Sequence, residues 1–256
     1  IYRGLLYYKP KKPEQDWKLK CQIEEVLRIH PSYGSRRLSI HLQMNRKKVK
    51  RVMNLFGIKA YRRRGRRWKK TKNIKVIYPN LLLSTFPVYP NHLWTADFTH
   101  VNFQTKIVYI ATVIDLYTRK VVGLSVYTTH AVQLVLSALL SGLHNQPRPE
   151  IFHSDNGSEY TSEIFVDALR TVGTRISRSA PGCPWENGYQ ESFHSQFKVD
   201  LGDPSRFKSL GEIVYAIYQT IYDYNHSRIH SALKMPPEQF ALQAASTYHF
   251  LNKVGV

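Results

Sequence analysis

The sequence predicts an α/β protein, in which a mixed five-stranded sheet is flanked by helices and preceded by a smaller helical region. Two observations carry this prediction. From about residue 91, β-rich runs and helical periodicities follow one another along the chain, as they do in α/β folds. The charge is also divided: residues 1–78 hold 24 Lys and Arg against 4 Asp and Glu, whereas residues 79–256 hold 13 against 14. The chain of 256 residues therefore joins a basic N-terminal part to a nearly neutral globular part.

Within the basic N-terminal part, the sequence of residues 1–60 predicts three helices. The first covers residues 17–29, with Asp16 as its cap, and a short second helix follows. Asn45 is the expected N-cap of the third, and Gly57 its C-terminal stop. Three short helices with a basic last member are typical of a helix-turn-helix DNA-binding region, although a small solvated bundle is the alternative. The predicted DNA-binding cations of the third helix are Arg46, Lys47, Lys50 and Arg51.

A basic linker, residues 61–85, follows the helices. Its first part, residues 61–75, cannot bury enough apolar surface to fold alone, and self-repulsion favours an extended arm. We expect this arm to become ordered on DNA phosphates, because each neutralised phosphate releases counterions. A nuclear-localisation signal is the rival interpretation of such a run. The predicted DNA-binding residues of the arm are Arg62, Arg63, Arg64, Arg66 and Arg67.

The sequence of the globular part predicts strands and helices that follow one another in a definite order. The predicted strands are Leu93–Phe103, Ile107–Ile114, Lys120–Tyr127, Ile151–His153 and Thr174–Ser177, and the intervening helices cover residues 131–143 and 161–171. With a further helix opened by Pro184, the order is β-β-β-α-β-α-β-α, which is the arrangement of the ribonuclease-H-like fold. We assign this core to residues 86–205. A C-terminal helical extension, broken by Pro236 and Pro237, takes residues 206–256.

Three carboxylates are the candidate catalytic and metal-binding residues. Asp97 interrupts the first strand, Asp155 follows the fourth strand at a turn, and Glu191 lies on the last core helix. Carboxylates that are distant in sequence and converge in space can hold two Mg²⁺ ions about 3.5–4 Å apart, as phosphodiester chemistry requires. Hard oxygen ligands favour Mg²⁺ or Mn²⁺ over zinc.

The sequence around Glu191 predicts a helix with one polar face and one aromatic face. Asn187, Glu191, Ser195 and Lys198 share a polar face that would reach the site, and Asn187 and Lys198 are predicted DNA contacts. For Lys198, the alternative is a solvated lysine on an exposed helix. An aromatic face would pack on the sheet, and its members are Tyr189, Phe193 and Phe197.

Several ordered motifs give the chain a family resemblance. They are Trp94–Thr99, His153–Tyr160, Glu186–Phe193 with Lys198, Tyr224–His230 with Pro236 and Pro237, and His30–Leu38. From residue 20 to 240 the chain resembles the DDE transposases encoded by the second reading frame (OrfB) of bacterial insertion sequences of the IS-three group. It is more distantly similar to retroviral integrases. Their zinc-binding His-His-Cys-Cys module is absent from this sequence, so we predict no zinc.

The resemblance implies a function and its partners. Water would free a 3′-hydroxyl at the end of an insertion sequence, and that hydroxyl would attack another phosphodiester. The expected partners are the element ends and the target, both double-stranded DNA, and a homo-oligomer that pairs the ends. A nuclease of the same fold that only hydrolyses DNA is one alternative. A DNA-binding relic without catalytic activity is the other.

We expect other polar residues to have roles that do not include metal binding. We interpret Asp115 as a turn former with Arg119, and Glu159 and Glu186 as groups that lie beside the site without ligating metal. His226 and His230 have the spacing of a metal pair, but no HExxH acid accompanies them, so structural or DNA-facing roles are favoured.

The remaining features concern the setting of the protein. No apolar stretch approaches the length of a membrane span, and the isolated Cys21 and Cys183 suit a reducing compartment, so we expect a bacterial cytoplasmic protein associated with the nucleoid. The sequence begins at Ile1 rather than Met. We therefore expect a fragment or the downstream part of a longer product, with a first-frame product upstream.

Overall fold

The chain divides into two compact units in this computed structural model, which describes residues 12–61, 78–180 and 183–254. The first unit is Ile1–Arg63 and the second is Arg64–Val256. The basic arm cations Arg62, Arg63, Arg64, Arg66 and Arg67 lie outside the described residues. Within the described residues, no helix is both long and apolar enough to cross a bilayer.

The first unit contains the expected helices, which are α1 (Lys12–Ile29), α2 (Ser35–His41) and α3 (Arg46–Leu55). The boundaries of α3 follow from its caps. The Asn45 side chain accepts a hydrogen bond from the Lys47 N–H at 2.8 Å, and Gly57 takes the left-handed conformation at φ +66°. Buried Val49, Val52 and Met53 form its apolar stripe. The predicted cap and stop of this helix are confirmed.

The predicted start of α1 is wrong. The helix begins at Lys12, five residues before the expected first residue, with Pro13 in the first turn, where its missing N–H breaks no helical bond. Asp16 is therefore not a cap. Its buried carboxylate accepts two hydrogen bonds from the Arg51 guanidinium and so ties α1 to α3.

The second unit contains the predicted mixed five-stranded sheet, whose strand order is β3-β2-β1-β4-β5. β1 pairs antiparallel with β2, and β2 with β3, whereas β1 pairs parallel with β4, and β4 with β5. The strands are β1 (Leu93–Phe103), β2 (Lys106–Asp115), β3 (Val121–Tyr127), β4 (Ile151–Ser154) and β5 (Arg175–Arg178). The helices are α4 (Val132–Asn145), α5 (Ser158–Thr161), α6 (Glu163–Thr171), α7 (Gly188–Leu201), α8 (Leu210–His226) and α9 (Pro237–Val254).

Helices cover both faces of the sheet. Successive strand residues point to opposite faces, so Leu93 and Ile151 belong to one apolar cluster, while Trp94 and Phe152 belong to the other. The first cluster is completed by α7 and α8, and the second by α4, α5 and α6. On the α4 side the contact is close at Gly123, where an added Cβ would lie 2.2 Å from the Ala138 carbonyl oxygen. Only glycine fits there without movement of the backbone.

The start of α7 differs from the prediction. Pro184–Asn187 is a turn of 3₁₀ helix, and the α-helix begins at Gly188. Phe193 and Phe197 pack into the core as expected, but Tyr189 in the first turn is 47% exposed and stacks on the Arg119 guanidinium at 4.3 Å. The predicted aromatic stripe is thus two residues long rather than three.

Candidate active site

The register of the two central parallel strands places Asp97 and Asp155 side by side. Thr95 of β1 is paired with His153 of β4. Asp97 lies two residues beyond Thr95, and Asp155 lies two residues beyond His153, at the carboxyl end of β4. Adjacent strands lie about 4.8 Å apart, and residues two apart point to the same face. Both carboxylates therefore occur on the face of the sheet that α7 covers, beside the carboxyl end of β4, where α/β sheets place ligands.

Buried amides attach the beginning of α7 to the same strands. The Asn187 side chain accepts a hydrogen bond from the Thr95 hydroxyl at 2.7 Å and donates to the Ala96 carbonyl at 3.3 Å. Gln190, also buried, donates to the Thr95 carbonyl at 2.6 Å. Glu191 is the next residue along the helix. These bonds hold its turn of helix over the stretch of β1 that carries Asp97.

A tight turn orients Asp155. The Gly157 N–H donates to Asp155 Oδ1 at 2.9 Å, and the Asn156 amide donates to the Ser179 carbonyl. A Cβ at Gly157 would lie 3.0 Å from Asp155 Oδ1 and 3.2 Å from Glu159 Oε2. The glycine therefore gives the backbone room to approach the carboxylate, as the Asn-Gly pair predicts.

His194 is a site residue that the sequence reasoning missed. It lies one helical turn after Glu191 and is buried. Its Nδ1 lies 3.5 Å from Asp97 Oδ2, and its Nε2 lies 3.1 Å from the Thr112 hydroxyl of β2. The signal that could have found it is the spacing, because residues three apart on a helix are neighbours.

The carboxylates influence one another electrostatically. Burial raises the pKa of Asp155, and the charges of Asp97 and Glu159 raise it further, against the lowering by the Gly157 N–H. Burial and the charge of Asp97 likewise raise the pKa of Glu191, which the His194 ring partly offsets. Each shift shows that negative charge at this place is unfavourable without a cation. Asp97 lies within electrostatic range of both other acids.

Tyr160 and Glu159 border the site from α5. Tyr160 is 1% exposed, and burial together with the charges of Asp97, Asp155 and Glu159 raises its pKa well above the usual value. Its hydroxyl has no hydrogen-bond partner among the described residues. Glu159 is buried and its Oε1 lies 3.1 Å from His130 Nε2 and 3.0 Å from the Ser158 hydroxyl. Glu159 is therefore engaged beside the site, as the sequence suggests.

The carboxylates of the site offer ligand atoms that suit a divalent cation, but they are not arranged as a preformed metal site. Among the described residues, no three His, Cys, Asp or Glu side chains are grouped closely enough to hold a metal ion. Asp97, Asp155 and Glu191 nevertheless offer the oxygen ligands that Mg²⁺ prefers. Burial, and to a lesser extent the charge of Asp97, raise the pKa values of Asp155 and Glu191, so a cation bound there would favour their ionised forms.

Two of the predicted DNA contacts also make contacts within the protein. Asn187 is 4% exposed, and its amide is hydrogen-bonded to β1, so it anchors the beginning of α7. Arg51 is bound to Asp16. The other predicted DNA contacts of α3, Arg46, Lys47 and Lys50, are exposed, as is Arg51, and Lys198 is partly exposed two turns after Glu191.

The remaining candidates have structural roles. Asp115 is buried and accepts hydrogen bonds from the Thr118 hydroxyl at 2.6 Å and from the N–H groups of Tyr117 and Thr118, which confirms a turn former. Glu186 Oε2 accepts from the Asn80 amide and the Ala180 N–H, both at 2.7 Å. His226 stacks on Tyr222 at 4.0 Å.

Family comparison agrees with the fold and the acidic site. The family described as "Integrase core domain" matches residues 87–184, and a second family of the same description matches residues 172–237. The matched region contains the whole sheet, Asp97, Asp155 and Glu191. The protein is thus a polynucleotidyl transferase of the integrase-core class.

Curated relatives narrow the class. The chain is 32% identical over 229 residues to the transposase for insertion sequence element IS904 of Lactococcus lactis, covering 84% of this chain and 89% of the relative. It is 35% identical over 155 residues to transposase InsF for insertion sequence IS3A of Escherichia coli, covering 59% and 54% of the two chains. The chain belongs to the insertion-sequence transposases, and its function is transposition with integrase-type catalytic activity.

A solved structure supports the fold. The similarity to a chain in the cryo-EM structure of a simian T-cell lymphotropic virus intasome, in complex with PP2A regulatory subunit B56 gamma, has a TM-score of 0.53 at 17% identity. It covers 82% of this chain and 70% of that one. The predicted ribonuclease-H-like fold is confirmed.

Proposed function

We propose that Asp97, Asp155 and Glu191 are the catalytic residues of a DDE transposase that cleaves the 3′ ends of an insertion sequence and transfers them to target DNA. One observation carries this proposal. Asp97 and Asp155 follow equivalent positions of two paired parallel strands, and α7 is fastened to one of those strands immediately before Glu191. Three acids from distant parts of the chain thereby face one region.

The three carboxylates would hold two Mg²⁺ ions, and Mn²⁺ would substitute. When bound, such ions activate the attacking oxygen and stabilise the leaving 3′-oxygen in an in-line displacement. The contribution of the protein is placement. The Gly157 N–H fixes Asp155, the Phe98 N–H fixes Asp97 at 2.8 Å, and the amides of α7 fix the turn that carries Glu191.

DNA binding would involve exposed cations of both units. Lys198 lies on the helix of Glu191 and would contact a phosphate near the site. Exposed Arg46, Lys47 and Lys50 of α3 would contact the element end. The cations of the arm would neutralise phosphates and so give the binding its salt dependence. In this proposal the protein acts on double-stranded DNA as a homo-oligomer, together with a first-frame product, on the bacterial nucleoid in the cytoplasm.

A strand-transfer assay tests the reaction. Labelled element-end DNA, target DNA and Mg²⁺ are incubated with the protein, with and without the upstream segment, and the products are separated by size. We expect joined products that are longer than the substrate. Cleavage without joining would favour a nuclease that only hydrolyses, and DNA binding without either product would favour a catalytically inactive relic.

The Asp155→Asn variant tests the site. We expect the loss of both cleavage and joining, with DNA affinity within a few-fold of wild type. The matched control is Asp167→Asn, since Asp167 is an exposed acid on α6. Full activity of Asp155→Asn would refute the assignment of this residue.

A further inference from the structure

A series of hydrogen bonds joins α7 to β1 and β2 beside Asp97 and ends at the ring of His194. Gln190 Nε2 donates to the carbonyls of Thr95 and Thr112, at 2.6 and 3.3 Å. The Thr112 hydroxyl donates to Gln190 Oε1 at 3.1 Å and lies 3.1 Å from His194 Nε2. Nδ1 of the same ring faces Asp97 Oδ2 at 3.5 Å. The series is buried, since Thr112, Gln190 and His194 are 1%, 0% and 7% exposed.

The direction of these bonds follows from the donors that are present. The two backbone carbonyls can only accept, so the NH₂ group of Gln190 must face them, and Oε1 is left as an acceptor. The Thr112 hydroxyl has one hydrogen, which goes to that oxygen. The hydroxyl can therefore only accept from His194, so Nε2 of the ring carries a hydrogen. This bond orients the ring, so that its Nδ1 edge contacts Asp97 without a hydrogen bond and bounds the carboxylate on that side.

The arrangement restrains Asp97 on both sides. Thr112 is the direct partner of Asp97 in the β1–β2 pairing, and directly opposed side chains lie on the same face of a sheet. The Phe98 N–H holds Oδ1 of Asp97, and the His194 ring lies against Oδ2. Without the ring, the carboxylate could turn about its terminal bond into the space beside α7.

We propose that His194 and Thr112 are positioning residues, which hold the Asp97 carboxylate in the orientation that receives the divalent cation. The inference rests on the proposed function, because it takes Asp97 as a ligand. Thr112 acts on Asp97 through His194, whereas Gln190 also fastens α7 to β1. Groups that orient metal ligands from behind affect metal affinity or activity by about 10- to 100-fold when they are removed.

The Thr112→Val variant tests whether the Thr112 hydroxyl positions Asp97 through His194, with Thr112→Ser as its matched control. Valine keeps the shape of threonine but removes the hydroxyl, whereas serine keeps the hydroxyl. Two quantities are measured. The first is the Mg²⁺ concentration that gives half of the maximal rise in the melting temperature of the protein without DNA. The second is the Mg²⁺ concentration that gives half of the maximal rate of strand transfer. We expect Thr112→Val to need about tenfold more Mg²⁺ in both measurements. Thr112→Ser should stay close to wild type.

A second pair of variants separates the two ends of the His194 ring. The amide of asparagine reaches the position of Nδ1, beside Asp97, and the amide of glutamine reaches that of Nε2, beside Thr112. We expect His194→Asn to retain a Mg²⁺ requirement closer to that of wild type than His194→Gln does. A merely structural role would affect both variants alike. This pair decides the question if Thr112→Val does not fold.

The outcomes distinguish this inference from the proposed function. If Asp155→Asn is inactive but Thr112→Val matches Thr112→Ser in its Mg²⁺ requirement, the positioning role is wrong and the acidic site stands. Equal losses in His194→Asn and His194→Gln would also overturn the positioning role. If Asp155→Asn remains active, the proposed site itself is wrong.

Discussion

Asp155 shows how a single carboxylate couples stability to cation binding. Its folded pKa is raised, so the stability associated with its protonated form is present below its unfolded pKa and is lost as the pH rises through the folded value. Above its folded pKa, the ionised Asp155 carboxylate is therefore less favourable in the folded protein than in the unfolded chain. A cation that binds only the folded state offsets this cost. Site formation and cation binding are expected to be linked.

His153 gives a prediction for pH dependence. It is fully buried between the hydroxyls of Ser177 and Ser179, at 2.9 and 3.1 Å, and burial lowers its pKa to about 4. Between about pH 4 and 6.5 the unfolded chain binds a proton that the folded protein does not, so folding stability falls as the pH falls through this window.

The measurement is the free energy of unfolding of wild type and His153→Gln from pH 4 to 7. The difference between the two proteins should change by up to about 3 kcal/mol, with wild type losing relative stability towards pH 4. A difference that stays constant across this window would show that His153 is not held in the neutral form.

Helix α7 shows at the scale of an element what the sequence could and could not predict. The motifs around Asp97, Asp155 and Glu191 indicated the acids, and the spacing of Phe193 and Phe197 predicted the buried face of the helix. The adjacency of Asp97 and Asp155 depends on β4 pairing with β1, which local patterns do not encode. The roles of Asn187 and His194 depend on their partners in distant strands. Residue type alone does not reveal these partners.

Helix α3 gives a prediction that separates folding from DNA binding. The Arg51 guanidinium pairs with the Asp16 carboxylate and lowers the pKa of that group, whereas Lys50 is exposed. Arg51→Ala should lower the melting temperature, because it leaves a buried carboxylate of α1 without its partner. Lys50→Ala should leave the melting temperature unchanged and weaken binding to element-end DNA.

Calorimetry and DNA titration at fixed salt test this pair. Each variant is the control for the other. If Arg51→Ala left the melting temperature unchanged and lost more DNA affinity than Lys50→Ala, Arg51 would be a DNA contact rather than a stabilising residue.

The charge division is a property of the whole molecule. Residues 61–75 contain 9 Lys and Arg and no Asp or Glu. A phosphate-binding segment of this kind makes the logarithm of the affinity fall with the logarithm of the salt concentration, by about 0.9 for each neutralised phosphate. Replacing these residues with an uncharged linker of equal length should therefore flatten the slope.

The slope is measured by DNA titration over a range of NaCl concentrations. The uncharged linker keeps the length of the chain, so a change in the slope reports on charge rather than on length. An unchanged slope would remove the arm from DNA binding.

The central claim is that Asp97, Asp155 and Glu191 act as one unit, and the strand-transfer rates of single and combined variants test it most directly. Residues that act as a unit are not additive. Asp97→Asn, Asp155→Asn and Glu191→Gln should each lower the rate by on the order of 10³-fold or more, and the triple variant should be no worse than the singles. A single variant that keeps wild-type activity, or losses that multiply in the triple variant, would contradict the claim.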